Sequence, residues 1–271
     1  MNFLDCTLRD GGYYNNWDFP LELTQDYLNA IQSSGFNWVE IGFRSKIDSG
    51  FKGPFAYSSD SFLSKLDVPE GVKLAVMVNA SELLMNEGNL EKTIDSLFSK
   101  KSQSVISMVR IACHHEEFEK SLPAVKILSD MGYLVGMNLM QISQRTDSEI
   151  RDLARKSNDW PIHVFYIADS LGSLSPERTS EIVDLISEEW VGDIGVHCHD
   201  NLGNAMQNSR AAINSGSTWV DSTVTGMGRG PGNLQSEYVV TELMTLRGNM
   251  SNILPLLSLI DTYFSTLKKK F

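Results

Sequence analysis

The sequence predicts an α/β protein: a closed (β/α)8 TIM barrel formed as a single domain over residues 1–271. Three observations carry that expectation. Short β-rich runs alternate along the whole chain with longer stretches in which apolar residues recur every three to four positions. The β-rich runs number eight, and eight strand–helix units occupy roughly 250 residues in a closed barrel. No Pro-, Ser- or Gly-rich linker, low-complexity tract or charge block divides the chain. A doubly wound open sheet, the main competitor, does not require eight regular units.

The elements follow in order. Strands are expected at Phe3–Leu8, Asn37–Phe43, Lys73–Asn79, Ser104–Ala112, Leu134–Met140, Ile162–Ala168, Asp193–Cys198 and Thr218–Val224. Between them, Leu21–Ser34, Leu90–Ser99, Glu117–Met131 and Ser148–Lys156 have helical spacing. Thr146 with Glu149 makes a capping box, and Ser175-Pro176-Glu177 supplies an N-cap, a first-turn proline and an acid facing the helix dipole. Gly35, Gly132 and Gly216 fall just past helices, where a left-handed cap favours glycine. Lys268-Lys269-Lys270 reads as a solvated cationic end to the last helix.

Charge excludes several classes. Lys plus Arg total 23 against 34 Asp plus Glu, a net charge of −11, which repels nucleic-acid backbones and anionic membranes. Three widely spaced cysteines, Cys6, Cys113 and Cys198, make a disulfide framework improbable and a reducing cytoplasm the expected location. The N-terminus is neither basic nor greasy enough for a signal peptide, and the apolar stretch Ile253–Ile260 is too short to span a bilayer.

In such a barrel, chemistry belongs at the C-terminal ends of the strands, and polar residues gather there. His197 and His199 sit two apart on strand 7 and so point to one face, where both imidazoles can reach the same ion. Asp10, at the end of strand 1, supplies the carboxylate, and Asn233, on the loop after the intervening strand 8, offers an amide oxygen. The alternative is a pair of half-buried histidines bonded to backbone carbonyls. Glu40 lies in a run that otherwise reads as buried, and a buried carboxylate needs a partner. Arg9 on the adjacent strand can serve. Arg9 then waits for substrate, or the pair simply closes the barrel. Because Arg9 and Asp10 cannot both face inward on a regular strand, the chain is expected to leave β geometry there. Alternation also places Arg44 with Glu40, and Arg110 with His114, on inward faces, making His114 a candidate acid or base. Cys6 and Cys113 read as small core fillers, and Cys198 should point away from the histidines. The glycines of Gly226–Gly232 are compatible with a phosphate nest, with a tight loop bringing Asn233 to the ion, or with plain punctuation of strand 8.

Asp5-Cys6-Thr7-Leu8-Arg9-Asp10-Gly11, Glu40, His197-x-His199-Asp200-Asn201 and the last loop ending in Asn233 resemble the DRE-TIM metallolyases, the superfamily of hydroxymethylglutaryl-CoA lyase. Arg110 to His114 and Ala168 to Ser175 bring the resemblance nearest to the 4-hydroxy-2-oxovalerate aldolases. The resemblance implies that Asp10, His197 and His199 bind a divalent metal, with Asn233 a further ligand. It also implies that Arg9 stabilises an enolate and that Glu40 holds Arg9. The chain departs from those aldolases where they place a histidine base three residues after the metal aspartate; Tyr13 stands there instead, so Tyr13 and His114 are both candidates for the base. No C-terminal partner-docking domain is expected, and the last loop lacks the cysteine of the acyl-CoA lyases.

The expected activity is a metal-dependent aldolase or lyase that makes or breaks a C–C bond next to a 2-oxo acid through a pyruvate-type enolate. Its partners are a 2-oxo acid and an aldehyde, and its ligand set favours Mn2+ or Mg2+, with Zn2+ or Co2+ open. The alternatives are a Claisen-type synthase using an acyl-CoA and a catalytically degenerate barrel acting as a binding protein. Leu254, Leu256, Leu257 and Ile260 on the last helix suit either a homodimer contact or packing on the barrel.

Overall fold

The computed structural model describes residues 1–46, 50–85, 89–244, 248 and 251–269. Eight parallel strands close into a barrel in sequence order, each bonded to its neighbours and β8 to β1. They are β1 (Asn2–Asp5), β2 (Trp38–Phe43), β3 (Lys73–Asn79), β4 (Ile106–Cys113), β5 (Leu134–Leu139), β6 (Val164–Asp169), β7 (Asp193–Cys198) and β8 (Trp219–Ser222). Helices such as Leu21–Ser33, His115–Asp130, Asp147–Ser157, Pro176–Ser187 and Ala205–Asn214 form the outer layer. Among the described residues no helix is long and apolar enough to cross a membrane.

The expected caps form. Glu149 N–H donates to the Thr146 hydroxyl at 3.3 Å while Thr146 N–H donates back to the Glu149 carboxylate at 2.8 Å. Ser175 accepts from Arg178 N–H at 3.2 Å. Gly35, Gly132 and Gly216 take φ of 90°, 96° and 111° just past their helices, a region closed to most side chains.

Two apolar bodies hold the fold. The larger fills the space between barrel and helices, and includes Ile41, Val78, Ile111, Leu139, Ile182 and Val220. The smaller lies inside the barrel: Leu4, Cys6, Trp38, Ala75, Met108, Val164, Tyr166 and Trp219. The Trp38 and Trp219 rings meet there, with centroids 5.1 Å apart.

Several expectations are corrected. β1 ends at Asp5 rather than Leu8, because Thr7–Asp10 coils into a helical turn. β8 is likewise shorter than Thr218–Val224. Register slips between Glu40 and Gly42, so Arg44 leaves the inward face and pairs with Asp60 at 3.0 Å. His114 is not an inward strand residue: β4 stops at Cys113, and His114 is the half-buried N-cap of His115–Asp130, its N–H donating to Glu117 at 2.9 Å. Lys268 is not merely solvated, since its ammonium donates to the Thr225 carbonyl; Lys270 lies outside the described residues. On the last helix Leu256 is buried and Ile260 partly so, whereas Leu254 and Leu257 are exposed.

Candidate active site at the barrel mouth

Strand alternation builds the barrel interior in layers. Residues two apart on a strand face the same side, so three members of the inner apolar plug are each followed by a charged residue nearer the C-terminal end. Trp38 is followed by Glu40, Met108 by Arg110 and Trp219 by Asp221, and all three polar side chains are buried. Arg110 joins them. It donates to Glu40 Oε1 at 3.2 Å, to Asp221 Oδ2 at 2.5 Å and to Asn138 Oδ1 at 3.2 Å, and its guanidinium lies 4.0 Å from the centre of the Tyr166 ring. Burial alone would raise the Asp221 carboxyl; Arg110 and His197 outweigh it and hold the group below the usual carboxylate range.

The mouth sits on this layer. Its first contributor is the Thr7–Asp10 turn, anchored to the end of β8 by Cys6 N–H on the Ser222 carbonyl at 2.9 Å and by Val224 N–H on the Thr7 hydroxyl at 2.8 Å. Consecutive strand residues face opposite ways; on the turn, Arg9 and Asp10 bond each other. Arg9 Nε also donates to Glu40 Oε2 at 2.6 Å, so Glu40 bridges Arg9 and Arg110. Burial alone would raise the Asp10 carboxyl, but Arg9 and His197 hold it well below the ordinary range.

His197 stands between two carboxylates, with Nε2 3.2 Å from Asp10 Oδ2 and Nδ1 3.0 Å from Asp221 Oδ2. An imidazole oriented by a carboxylate behind it is the usual arrangement of a metal-ligating histidine. The His199 ring centre is 5.2 Å from that of His197. Burial and the neighbouring His197 push His199 down to about 3, leaving it neutral at pH 7, the form that can offer a lone pair. Asn233 Nδ2 donates to Asp10 Oδ2 at 2.8 Å and to the Met227 carbonyl at 3.3 Å, while its Oδ1 is buried with no partner. An orphaned amide oxygen beside a carboxylate and a neutral imidazole fits a hard or borderline divalent cation.

Among the described residues, the ligand atoms that come within 4.8 Å of one another belong to Cys6, Asp10 and His197. His199 and Asn233 share the mouth without joining that tight set. Cys6 belongs to the inner plug as expected, but it also borders the site, its thiol 3.8 Å from Asp10 Oδ2. Burial pushes that thiol well up, so it stays protonated as a neutral neighbour. Cys198 packs outward in the larger core.

The glycine-rich loop folds back on β7. Leu234 N–H donates to the Cys198 carbonyl at 3.1 Å and Asp200 N–H to the Gly232 carbonyl at 2.9 Å, while His199 pairs with Asn233 in an antiparallel bridge. A Cβ on Gly228 would come within 2.7 Å of Asn233 Nδ2. Of the three readings of this loop, the one that brings Asn233 to Asp10 is the geometry found. Tyr13 lies on the next turn after Asp10, its ring 4.8 Å from that of Trp17. Asp169, which ends β6, spends its carboxylate on the backbone of Ser173 and Leu174 at 3.1 and 3.0 Å.

Sequence reasoning missed Asp221 and Asn138 and passed over Cys6. The signal for Asp221 was available. It follows Trp219 by two on an apolar strand, the same pattern that singled out Glu40.

A parallel barrel whose mouth gathers a carboxylate, two imidazoles, an amide oxygen and an acid-clamped guanidinium is the framework of an enzyme, with the donor types that suit a divalent cation. Residues 69–263 match the HMGL-like family model, and the chain belongs to that family. It is 26% identical over 268 residues to 4-hydroxy-2-oxovalerate aldolase 4 of Rhodococcus opacus (strain B4), covering 97% of this chain and 73% of the relative. It is also 26% identical over 253 residues to an oxaloacetate decarboxylase of Mycobacterium tuberculosis, covering 92% and 71%. Among solved structures, it is similar to the N-terminal domain of a Bacteroides vulgatus protein named as an aldolase candidate, at 30% identity and a TM-score of 0.87, covering 99% and 88%. An HMG-CoA lyase of Bacillus subtilis shares the fold at 15% identity and a TM-score of 0.78, covering 99% and 94%. The chain is a carbon–carbon lyase of this family.

Proposed function

We propose that the protein is a divalent-metal-dependent aldolase acting on a C–C bond next to a 2-oxo acid of the pyruvate type. The observation that carries the reading is the meeting of Asp10, His197 and the unpartnered Asn233 oxygen beside Arg9, itself fixed by Glu40. Asp10, His197, His199 and Asn233 hold the cation, Mn2+ or Mg2+ ahead of Zn2+ or Co2+ for a mixed nitrogen–oxygen set. When bound, the cation supplies a Lewis acid to the oxygens of the 2-oxo acid.

The chain's own residues do the rest. Arg9 keeps a guanidinium aimed at the mouth because Glu40 and Asp10 leave it no other low-energy orientation. Positive charge fixed in advance where an enolate oxygen develops is commonly the largest catalytic contribution. Glu40 and Asp221 are positioning residues: one holds Arg9, the other sets the tautomer of His197 by taking its Nδ1–H. Tyr13 takes the proton of the substrate hydroxyl in the cleavage direction. It lines the cleft beside the mouth, three residues after Asp10, whereas His114 is committed to a helix N-terminus. The reactants are a small 2-oxo acid and an aldehyde, handled by a cytoplasmic enzyme acting as a homodimer through Leu254 and Leu257, exposed apolar residues of the last helix.

The test is an aldol screen: pyruvate plus a panel of aldehydes with Mn2+, read by loss of pyruvate, beside elemental analysis of the purified protein. Consumption with an aldehyde, abolished together with bound metal by His199→Ala, supports the reading. Consumption only with an acyl-CoA indicates a Claisen-type synthase. A protein that binds no metal and is inert in both assays is a binding protein.

A further inference from the structure

Between the first βα turn and the glycine-rich loop lies a cleft of about 590 Å³, lined by Tyr13, Tyr14, Arg229, Lys268 and the Gly228 backbone. It adjoins the acid–imidazole cluster. Tyr13 follows Asp10 by three residues, and Gly228 backs directly onto the Asn233 amide. The Arg229 charge is close enough to help depress His199.

Arg229 is unusual among the described arginines. Arg9, Arg44, Arg110, Arg145, Arg151, Arg155, Arg178 and Arg210 each have a carboxylate oxygen within 4.0 Å. Arg229 has no such partner among the described residues; its guanidinium lies 5.4 Å from the centre of the Tyr13 ring. Lys268 also lines the cleft; it has no carboxylate within 4.0 Å among the described residues, donates to the Thr225 carbonyl and feels the Glu237 carboxylate at longer range. In a chain with 34 acidic and 23 basic residues, an exposed arginine without a carboxylate partner, beside a lysine in a cleft free of acidic lining, favours an anion. Tyr14 adds to it by donating to the Gly228 carbonyl at 3.0 Å, which occupies an acceptor that would repel an anion.

We propose that this cleft binds an anionic group, a carboxylate or a phosphate, carried on the aldehyde-derived half of the substrate away from the reacting carbon. The enzyme thereby prefers acidic aldehydes to neutral ones. The inference rests on the aldolase reading and adds the substrate class to it. The Arg229 fork gives two parallel hydrogen bonds to such a group, the Tyr13 face keeps the fork in place, and Lys268 adds a point charge.

The experiment has two arms. In the first, wild type, Arg229→Gln and Lys268→Met are assayed with pyruvate and four aldehydes: succinic semialdehyde, glyceraldehyde 3-phosphate, and their neutral counterparts butanal and glyceraldehyde. In Arg229→Gln the ratio of kcat/KM for acidic over neutral aldehyde should fall about ten- to a hundredfold, chiefly through KM, as expected for losing hydrogen bonds to a charged group. The semialdehyde and the phosphate tell the two anions apart. In the second arm, succinate and glycerol 3-phosphate are titrated against the fluorescence of Trp17, which touches Tyr13. Saturable binding should be lost in Arg229→Gln and weakened in Lys268→Met. An unchanged selectivity ratio, or failure of both anions to bind wild type, overturns the proposal. If no aldehyde is consumed yet an anion binds wild type and not Arg229→Gln, the aldolase reading falls and the anion site stands.

Discussion

Replacing Arg110 with Met removes a fully buried guanidinium and leaves its shape roughly filled. Two carboxylates lose a partner, but not equally. Glu40 keeps Arg9 at 2.6 Å, whereas Asp221 keeps only the His197 Nδ1 at 3.0 Å and already has an unpaired Oδ1. Breaking a buried ion pair from one side costs about 3–5 kcal/mol, because the remaining charge stays buried and uncompensated. For a chain of this size that corresponds to a melting temperature lower by about 6–20 °C. The cost is therefore assigned mainly to Asp221. Adding Asp221→Asn to Arg110→Met should recover about half of the loss, since the orphaned charge is gone. Thermal melts of wild type, both single variants and the double variant form a double-mutant cycle that reads this coupling. The reasoning fails if Arg110→Met melts within a degree or two of wild type, or if the double variant loses the full sum of the single losses.

Arg9→Ala should lower aldol turnover on the order of 10²-fold or more with a smaller effect on KM, measured by steady-state kinetics in Mn2+. Gly228→Ala drives a Cβ into the Asn233 amide, so it should weaken cation binding, read by isothermal titration with MnCl2, with little change in melting temperature. Asp60→Asn tests a charge away from the mouth. The Asp60 carboxyl is desolvated by burial, which raises it, but hydrogen bonds from Arg44 and Ser104 bring it below its ordinary value. A group depressed in the folded state stabilises above its unfolded pKa and ceases to do so as pH falls through its folded pKa. The melting-temperature gap between wild type and Asp60→Asn should therefore be full at pH 7 and narrow progressively as pH falls below the ordinary carboxylate range near about 4; a gap that does not change with pH contradicts this.

The barrel and its strand count were legible because alternation of period and the regular spacing of units are global signals that local irregularities do not erase. Asp10, His197, Arg9 and Glu40 were legible for a different reason. Each is a polar residue in an apolar setting near the end of a strand, and the conflict between facing directions at Arg9 and Asp10 already demanded a break in β geometry. The Thr7–Asp10 turn is that break. What escaped was set by through-space register. The slip between Glu40 and Gly42 redirects Arg44, and β4 ending at Cys113 turns His114 into a cap. Neither has a local signature, since both depend on how neighbouring strands align. The pairing of Arg110 with Asp221 spans 111 positions along the chain, and no spacing rule links such distant partners.

The aromatic plug beneath the charged layer makes the barrel a blind well. Trp38 and Trp219 stop up its floor, so molecules arrive and depart by the rim alone. On the proposed reading, a 2-oxo acid held against the buried Arg9 and His197 goes in before a reactant that rests against the exposed Arg229. On that reading depth dictates the order of addition, a queue whose closed end is two tilted indoles.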